Sequence, residues 1–354
     1  MEISFIIPVY NGENCILRCI RSIQAWNKAA EIEILVVDDG SSDETGAICD
    51  EAAALDLRIR VFHIKNSGQS LARNLGMQNS NGRYCYFADA DDWVDAGQIY
   101  LLWQKAEEIQ ADVVMGSYIR VNDGRMERVP LPGEGFIGRN GSRQEQNLYH
   151  KIKTESGFGY VWNKLYRKEF LIRNLLLMDD IKKIYMEDQL FNLKLWSKNP
   201  VWYCLDVPVY YYETGNVSTT RKAEPQIHTK NVTMLCELIG YLQGNGVLEV
   251  NLDTVIPLLM RTFCWSLIKN VEYEGRSFVK IKARAECFVG TASIQHVLHM
   301  RGAGDSLMLL PSRMQICFYL ICLLLMRWKL SWLISVIFVC FYPLMKKYIL
   351  ATLK

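Results

Sequence analysis

The sequence lacks the marks that would place it quickly in several classes. Its 40 Lys and Arg nearly cancel its 38 Asp and Glu, leaving a net charge of +2, so no global field draws it to nucleic acid. Eleven cysteines include no Cys-x-x-Cys, and most sit in apolar runs, as Cys317, Cys322 and Cys340 do. That usage reads as reduced, buried thiols in a reducing compartment. Histidine is scarce, 5 in 354 residues, and His296 and His299 stand apart from cysteines and acids; no zinc site is read there. The chain has no internal repeat and no long linker. Met1-Glu2-Ile3 leads straight into a first strand with no basic start, so no signal peptide is expected. Nor does any uncharged apolar run reach the roughly 18–20 residues of a membrane-spanning helix.

What is present is a set of polar clusters, each following a predicted strand. The aromatic run Arg83-Tyr84-Cys85-Tyr86-Phe87 ends in Ala88-Asp89-Ala90-Asp91-Asp92. Carboxylates this crowded repel unless a positive charge sits among them, and hard oxygen donors suit Mg²⁺ or Mn²⁺. Upstream, Ile3 to Val9 reads as a strand, and Ile16, Leu17, Ile20, Ile23 and Trp26 follow at helical spacing. Ile32 to Val37 is a second strand running into Asp38-Asp39-Gly40-Ser41-Ser42-Asp43, and a helix is read over Thr45 to Ala54. Ile59 to His63 is a third strand, then Asn66 to Ser70 turns into a helix starting at Leu71. Strands alternating with helices specify a parallel sheet with crossover helices, whose ligands bind at the carboxyl ends of the strands. Four polar loops on one edge make one site.

These blocks resemble a family 2 glycosyltransferase of the GT-A fold, of the kind that builds bacterial capsular, exopolysaccharide and O-antigen sugars. The matching stretches are Ser4 to Asn11, Val36 to Asp43, Asn66 to Gly76 and Phe87 to Asp92, in the family's order and spacing. The resemblance is close over residues 1–100 and looser to about 220. It implies an α/β fold with a mixed, mainly parallel sheet flanked by helices; beyond about Arg221 the shared core ends, and the residues there read as a C-terminal helical extension and a hydrophobic tail. It also implies a nucleotide-sugar donor, with UDP the favoured nucleotide, and Mg²⁺ or Mn²⁺ as cofactor. Pro8 and Tyr10 would lie at the nucleotide, Tyr10 against the base. Asp39 would accept from the base edge, as an ionised carboxylate suits, although Asp38, Asp39 and the serines after them also suit helix capping. Arg73 would lie near the nucleotide. Asp91 would hold the metal, with Asp89 at the ribose or assisting the metal and Asp92 supporting the loop. Gly68 serves either a sharp turn or a plain loop.

An acceptor hydroxyl needs a base. Met186-Glu187-Asp188-Gln189-Leu190-Phe191 resembles the family's acidic pair, with Met186 where glycine is common. The reading is Asp188 as base, with Glu187 orienting the substrate or capping the helix, and inversion at the anomeric carbon. Tyr160 to Lys168 resembles a segment of polysaccharide-building members; in it Trp162 either stacks on an acceptor sugar or lies in the core. Pro208 to Ser218 resembles the closing strand and loop, with Glu213 where an arginine is common and Arg221 nearby.

The expected organisation is a nucleotide-sugar half at 1–100, an acceptor half at 101–220, a helical extension at 221–307 and a tail at 308–354. Within the tail, Ile316 to Met326 is an apolar run of eleven residues and Leu330 to Met345 one of sixteen, with Arg327 and Lys329 between them. One helix through both would put those charges at mid-bilayer, at roughly 2.5–3.5 kcal/mol each. A monotopic or re-entrant hydrophobic pair on the cytoplasmic face of a bacterial inner membrane is the preferred reading, and it suits a lipid-linked saccharide acceptor. A buried hairpin or a homodimer contact competes with it. Two other functions are weighed. A sugar-phosphate nucleotidyltransferase needs a Gly-rich Thr-Arg loop near the N-terminus, where this chain has Pro8 to Glu13. An inactive scaffold sits poorly with intact Asp39, Asp91 and Asp188.

Overall fold

The computed structural model describes residues 1–27, 31–138, 142, 144–146, 148, 156–214, 226–310 and 312–351. Two compact units divide the chain, one of residues 1–182 and 187–222, the other of residues 183–186 and 223–354.

The first unit is built on one mixed sheet. Strands β1 (Ile3–Val9), β2 (Ile32–Asp38), β3 (Ile59–His63) and β4 (Tyr84–Phe87) lie in the order β3-β2-β1-β4, all parallel. Helices α1 (Ile16–Gln24), α2 (Thr45–Leu55) and α3 (Gln69–Asn79) connect them. Every residue of β1 and β2 is buried, as expected of parallel strands covered on both faces. On one face Phe5 meets Trp26 from the α1 side and Tyr86 from β4. Pro8 sits in this central strand without breaking its ladder. Ile6 accepts from Ala88 N, and backbone groups of alternate residues share a side, so Pro8 faces β4 beyond its last residue, Phe87.

Beyond β4 the sheet changes character. After β5 (Trp93–Val94) and α4 (Ala96–Ile109) come β6 (Val113–Asn122), β7 (Arg125–Val129), β8 (Gly135–Ile137), β9 (Lys164–Arg167) and β10 (Trp202–Glu213). Strand β9 lies between β4 and β6, antiparallel to both. Strand β10 runs parallel to β6, with irregular register around Pro208, and antiparallel to β5 and β8. Two further helices of this unit are α5 (Lys168–Arg173) and α6 (Glu187–Trp196).

The second unit is helical: α7 (Ile227–Gly244), α8 (Leu252–Glu274), α9 (Phe278–Val289), α10 (Ala292–His299), α11 (Arg313–Arg327) and α12 (Ser331–Ala351). Leu235, Leu238, Ile239 and Leu242 on α7 are buried, as their spacing predicts. Phe338 of α12 packs on Phe263 of α8 and Phe318 of α11. The tail is thus a pair of helices, broken where Lys329 takes φ 53°. No helix among the described residues is long and apolar enough to cross a membrane. Cys317 and Cys340 correct the expectation of buried thiols: both are exposed, because helical spacing turns them outward while Cys322 faces in.

Candidate active site

Parallel strands deliver the carboxyl ends of β1, β2 and β4 to one edge of the sheet, and the polar loops meet there. Asn11 N donates to Ser41 Oγ at 2.9 Å, Ser42 N to Asn11 Oδ1 at 2.8 Å, and Gly12 N to Thr45 Oγ1 at 2.8 Å. The loop after β1 is thereby tied to the loop after β2. Tyr10 leaves this knot 53 % exposed, its ring open to a ligand. Pro8 does not: it is buried in the strand, which corrects the reading of its side chain as a substrate contact.

Asp39 is buried, and both its oxygens accept backbone N–H groups, from Ser67 at 2.6 Å and Gly68 at 2.8 Å. It fixes the turn into α3, and each oxygen keeps a second lone pair for a ligand. Gly68 takes φ 98° at that turn, a conformation costly to any residue with a Cβ. Asp38 accepts from Ser41 N at 3.0 Å and contacts His63 Nδ1 at 2.9 Å. Asp43 accepts from Thr45 N at 3.1 Å, at the start of α2.

The acidic loop after β4 divides its labour. Asp92 is buried; it accepts the Tyr210 hydroxyl at 2.8 Å and Glu213 N at 2.7 Å. Burial, Asp91 and Asp89 together raise its carboxyl well above the usual range. Tyr210 in turn accepts Asp89 N–H at 3.0 Å, so β10 is sewn to the loop. Asp89 Oδ1 accepts Arg73 Nη2 at 2.5 Å and Gln69 Nε2 at 3.0 Å. Asp91 is the most exposed of the three, yet loss of water around it and the nearby Asp89 raise its carboxyl. Arg18 donates to the Asp91 carbonyl at 2.5 Å, lies 4.1 Å over the Trp93 ring, and pairs with Glu213 at 3.4 Å.

Arg73 joins this loop to the acidic pair. Its guanidinium, 3 % exposed, reaches Asp89 on one side and Glu187 Oε1 at 3.5 Å on the other. Glu187 and Asp188 open α6, where the helix dipole favours anions. Burial and Asp188 push the Glu187 carboxyl up to about 7, against Arg73. Burial raises Asp188 as well. Met186, just ahead, takes φ 62°, which explains why glycine suits that position.

Trp162 is corrected from substrate contact to core. It is 3 % exposed, with Tyr160 stacked at 4.4 Å and Tyr210 at 4.3 Å, and no face is left for a sugar. Sequence reasoning missed Arg18, Gln69 and the tie from Tyr210 to Asp92. Only the last left a signal: Tyr210 and Tyr212 alternate along a strand, which puts both on one face. Gly215 to Ser218 and Arg221 lie outside the described residues.

No group of three or more acidic, His or Cys residues able to hold a metal occurs among the described residues. Two carboxylates of hard oxygen, Asp89 and Asp91, nevertheless fit a cation such as Mg²⁺, which takes one or two carboxylates and completes its shell with substrate phosphate and water.

Residues 4–175 match the sequence profile described as Glycosyl transferase family 2. The chain is 35 % identical over 219 residues to the uncharacterized glycosyltransferase EpsJ of Bacillus subtilis, covering 62 % of each protein. It is 33 % identical over 225 residues to the glycosyltransferase GlyA of Streptococcus pneumoniae, covering 62 % of this chain and 32 % of that one. The chain thus spans less than two thirds of either relative. In fold it is similar to S. aureus TarS 1–349 in complex with UDP, with TM-score 0.70 at 18 % identity over 96 % of this chain and 91 % of that one. The converging strand tips, the Asp-x-Asp loop, the acidic pair on α6 and the profile match agree: residues 4–175 form a glycosyl transferase family 2 domain, and the fold is GT-A.

Proposed function

We propose that the chain moves a sugar, with inversion, from a nucleotide diphosphate sugar to a hydroxyl of a lipid-linked saccharide during cell-surface polysaccharide assembly. The observation that carries this is Arg73, which bridges Asp89 to Glu187 and so puts the acidic loop and the acidic pair in one site. TarS has been crystallised with UDP and with UDP-GlcNAc, which supports UDP as the first nucleotide to test. The polysaccharide setting rests on the motif resemblance.

Tyr10 and the turn held by Asp39 would receive the nucleoside. Asp91, with Asp89, would hold Mg²⁺ or Mn²⁺ at the diphosphate. The cation would supply neutralising charge to the leaving group. Asp188 takes the proton from the acceptor hydroxyl as the new carbon–oxygen bond forms and the bond to phosphate breaks. Its raised affinity for a proton brings it nearer the working pH of a general base. Glu187, held by Arg73, orients the acceptor.

UDP with Mn²⁺ is expected to raise the melting temperature by mass action, about 2.7 kcal/mol at a hundredfold excess over Kd. Asp91→Asn should remove the Mn²⁺-dependent part of that shift. No shift with any nucleoside diphosphate would refute the enzyme and favour the scaffold.

The tail is proposed to lie on an anionic lipid surface at the cytoplasmic side of the membrane. Met314, Ile321 and Leu324 on one side of α11 are exposed, as are Trp328 just after it, at 75 %, and Trp332 at the start of α12, at 51 %. Residues 306–354 contain no Asp or Glu, and their charges are Arg313, Arg327, Lys329, Lys346, Lys347 and Lys354. An apolar face ringed only by positive charge complements anionic headgroups. The full chain should sediment with phosphatidylglycerol vesicles more than with phosphatidylcholine ones. Trp328→Ser with Trp332→Ser should weaken that binding about tenfold or more. A chain that ignores vesicles but dimerises through this face would overturn the proposal.

A further inference from the structure

Behind Asp188 lies a buried polar network that the mechanism above does not use. Lys164, the first residue of β9, is 0 % exposed. Its ammonium donates to Gly157 O at 2.9 Å, to Asn163 Oδ1 at 2.8 Å and to Tyr160 O. All three donors are spent on neutral oxygens, and among the described residues no carboxylate pairs with it. Asn192, one turn after Asp188 on α6, is also 0 % exposed. Its amide donates to Gly159 O at 2.9 Å, Tyr160 O at 3.1 Å and Asp188 O at 3.1 Å, and its oxygen accepts the Tyr166 hydroxyl at 3.0 Å. Lys164 and Asn192 therefore hold the same stretch of backbone, residues 157–160. That stretch lies against the first turn of α6: a Cβ placed on Gly159 would come within 3.5 Å of Gln189 Cβ.

A buried ammonium with no anion of its own is costly, and burial pushes this one down to about 7 against the pull of Asp188. A residue needed only to fill space here would be apolar. We infer that Lys164 and Asn192 are positioning residues for Asp188: Asn192 fixes the first turn of α6 against residues 157–160, and the Lys164 charge favours the ionised Asp188 carboxylate. The inference rests on Asp188 being the base. Among the described residues, the charges acting on the Asp188 carboxyl are Arg73 on α3, Asp89 after β4 and Lys164 on β9, and Asp188 in turn acts on Glu187 of α6 and Tyr166 of β9. Of the two cations, Arg73 is divided between Asp89 and Glu187. Lys164 is the one without a carboxylate partner.

The test uses the full chain and follows UDP release from UDP-GlcNAc, UDP-glucose and UDP-galactose across pH, with a lipid extract as acceptor. In Lys164→Met, kcat should fall about tenfold at neutral pH, and its acid limb should move up by about one pH unit as the carboxylate loses a favourable charge. UDP binding, read by thermal shift, should stay as in the wild type. Asn192→Ala should lower kcat with the donor KM unchanged and the acid limb in place. A folded Lys164→Met variant with the wild-type acid limb overturns the electrostatic role. Should that variant not fold, Asn192→Ala decides: unchanged kcat overturns the positioning role. If Asp188→Asn retains wild-type turnover, the base assignment itself has failed, which separates that failure from failure of the network.

Discussion

Asp188→Asn is expected to lower sugar transfer by about 10²–10⁴-fold, the range a positioned base contributes, while UDP binding remains near wild type. The same substitution should raise the melting temperature. Burial raises both carboxyls, Asp188 adds to the rise at Glu187 and Asp89 to that at Asp188, so the folded chain holds their protons more tightly than the unfolded chain does. The stability this gives is fully present below the ordinary carboxyl range and is lost as pH rises through the folded values. As pH rises through those values the two side chains ionise and repel. The neutral amide removes that repulsion, and a gain of about 2–4 °C per kcal/mol relieved is expected; the difference from wild type should vanish near pH 4. The wild-type activity profile should fall on its acid side as the pair, titrating as a unit, takes up a proton. A variant that is inactive but no more stable at pH 8 would mean that the pair is not under electrostatic strain.

Arg73→Met is expected to act in the opposite direction on stability. The side chain is buried between Asp89 and Glu187, and its removal leaves two carboxylates with no counter-charge in contact. Breaking a buried pair in this way costs about 3–5 kcal/mol. Chemical denaturation at pH 7 should show that loss, smaller at pH 5 where Glu187 can accept a proton. Arg73→Lys should recover part of the stability and little of the activity, because one ammonium lacks the fork that spans both partners. Equal stability of Arg73→Met and wild type at pH 7 would remove Arg73 as the bridge.

How far the sequence revealed the site follows from how local each signal was. Strands β1 to β4 and the polar loops after them were legible, because each is a largely apolar run followed within three residues by Asp or Asn. The acidic pair was legible as a motif at a helix start. Trp162 was not settled by sequence: an indole beside tyrosines reads equally as platform or core, and only the stacking of Tyr160 and Tyr210 decides. The antiparallel insertion of β9 between β4 and β6 joins segments about 50–80 residues apart, beyond what periodicity can register. Arg18 was invisible for the same reason, since its partners Asp91 and Glu213 lie 73 and 195 residues away. Lys164 read as one more basic residue in Asn163-Lys164-Leu165-Tyr166-Arg167, and nothing in that string says which cation is inside.

The two backbone N–H groups that converge on Asp39 bear on how tightly a small molecule can be held. Because Ser67 and Gly68 are already clasped to the tip of β2, that wall of the proposed nucleotide site is tethered before a ligand arrives. The entropy that an untethered segment would forfeit on capture has been surrendered during folding instead, and more of the interaction free energy is left to appear as affinity.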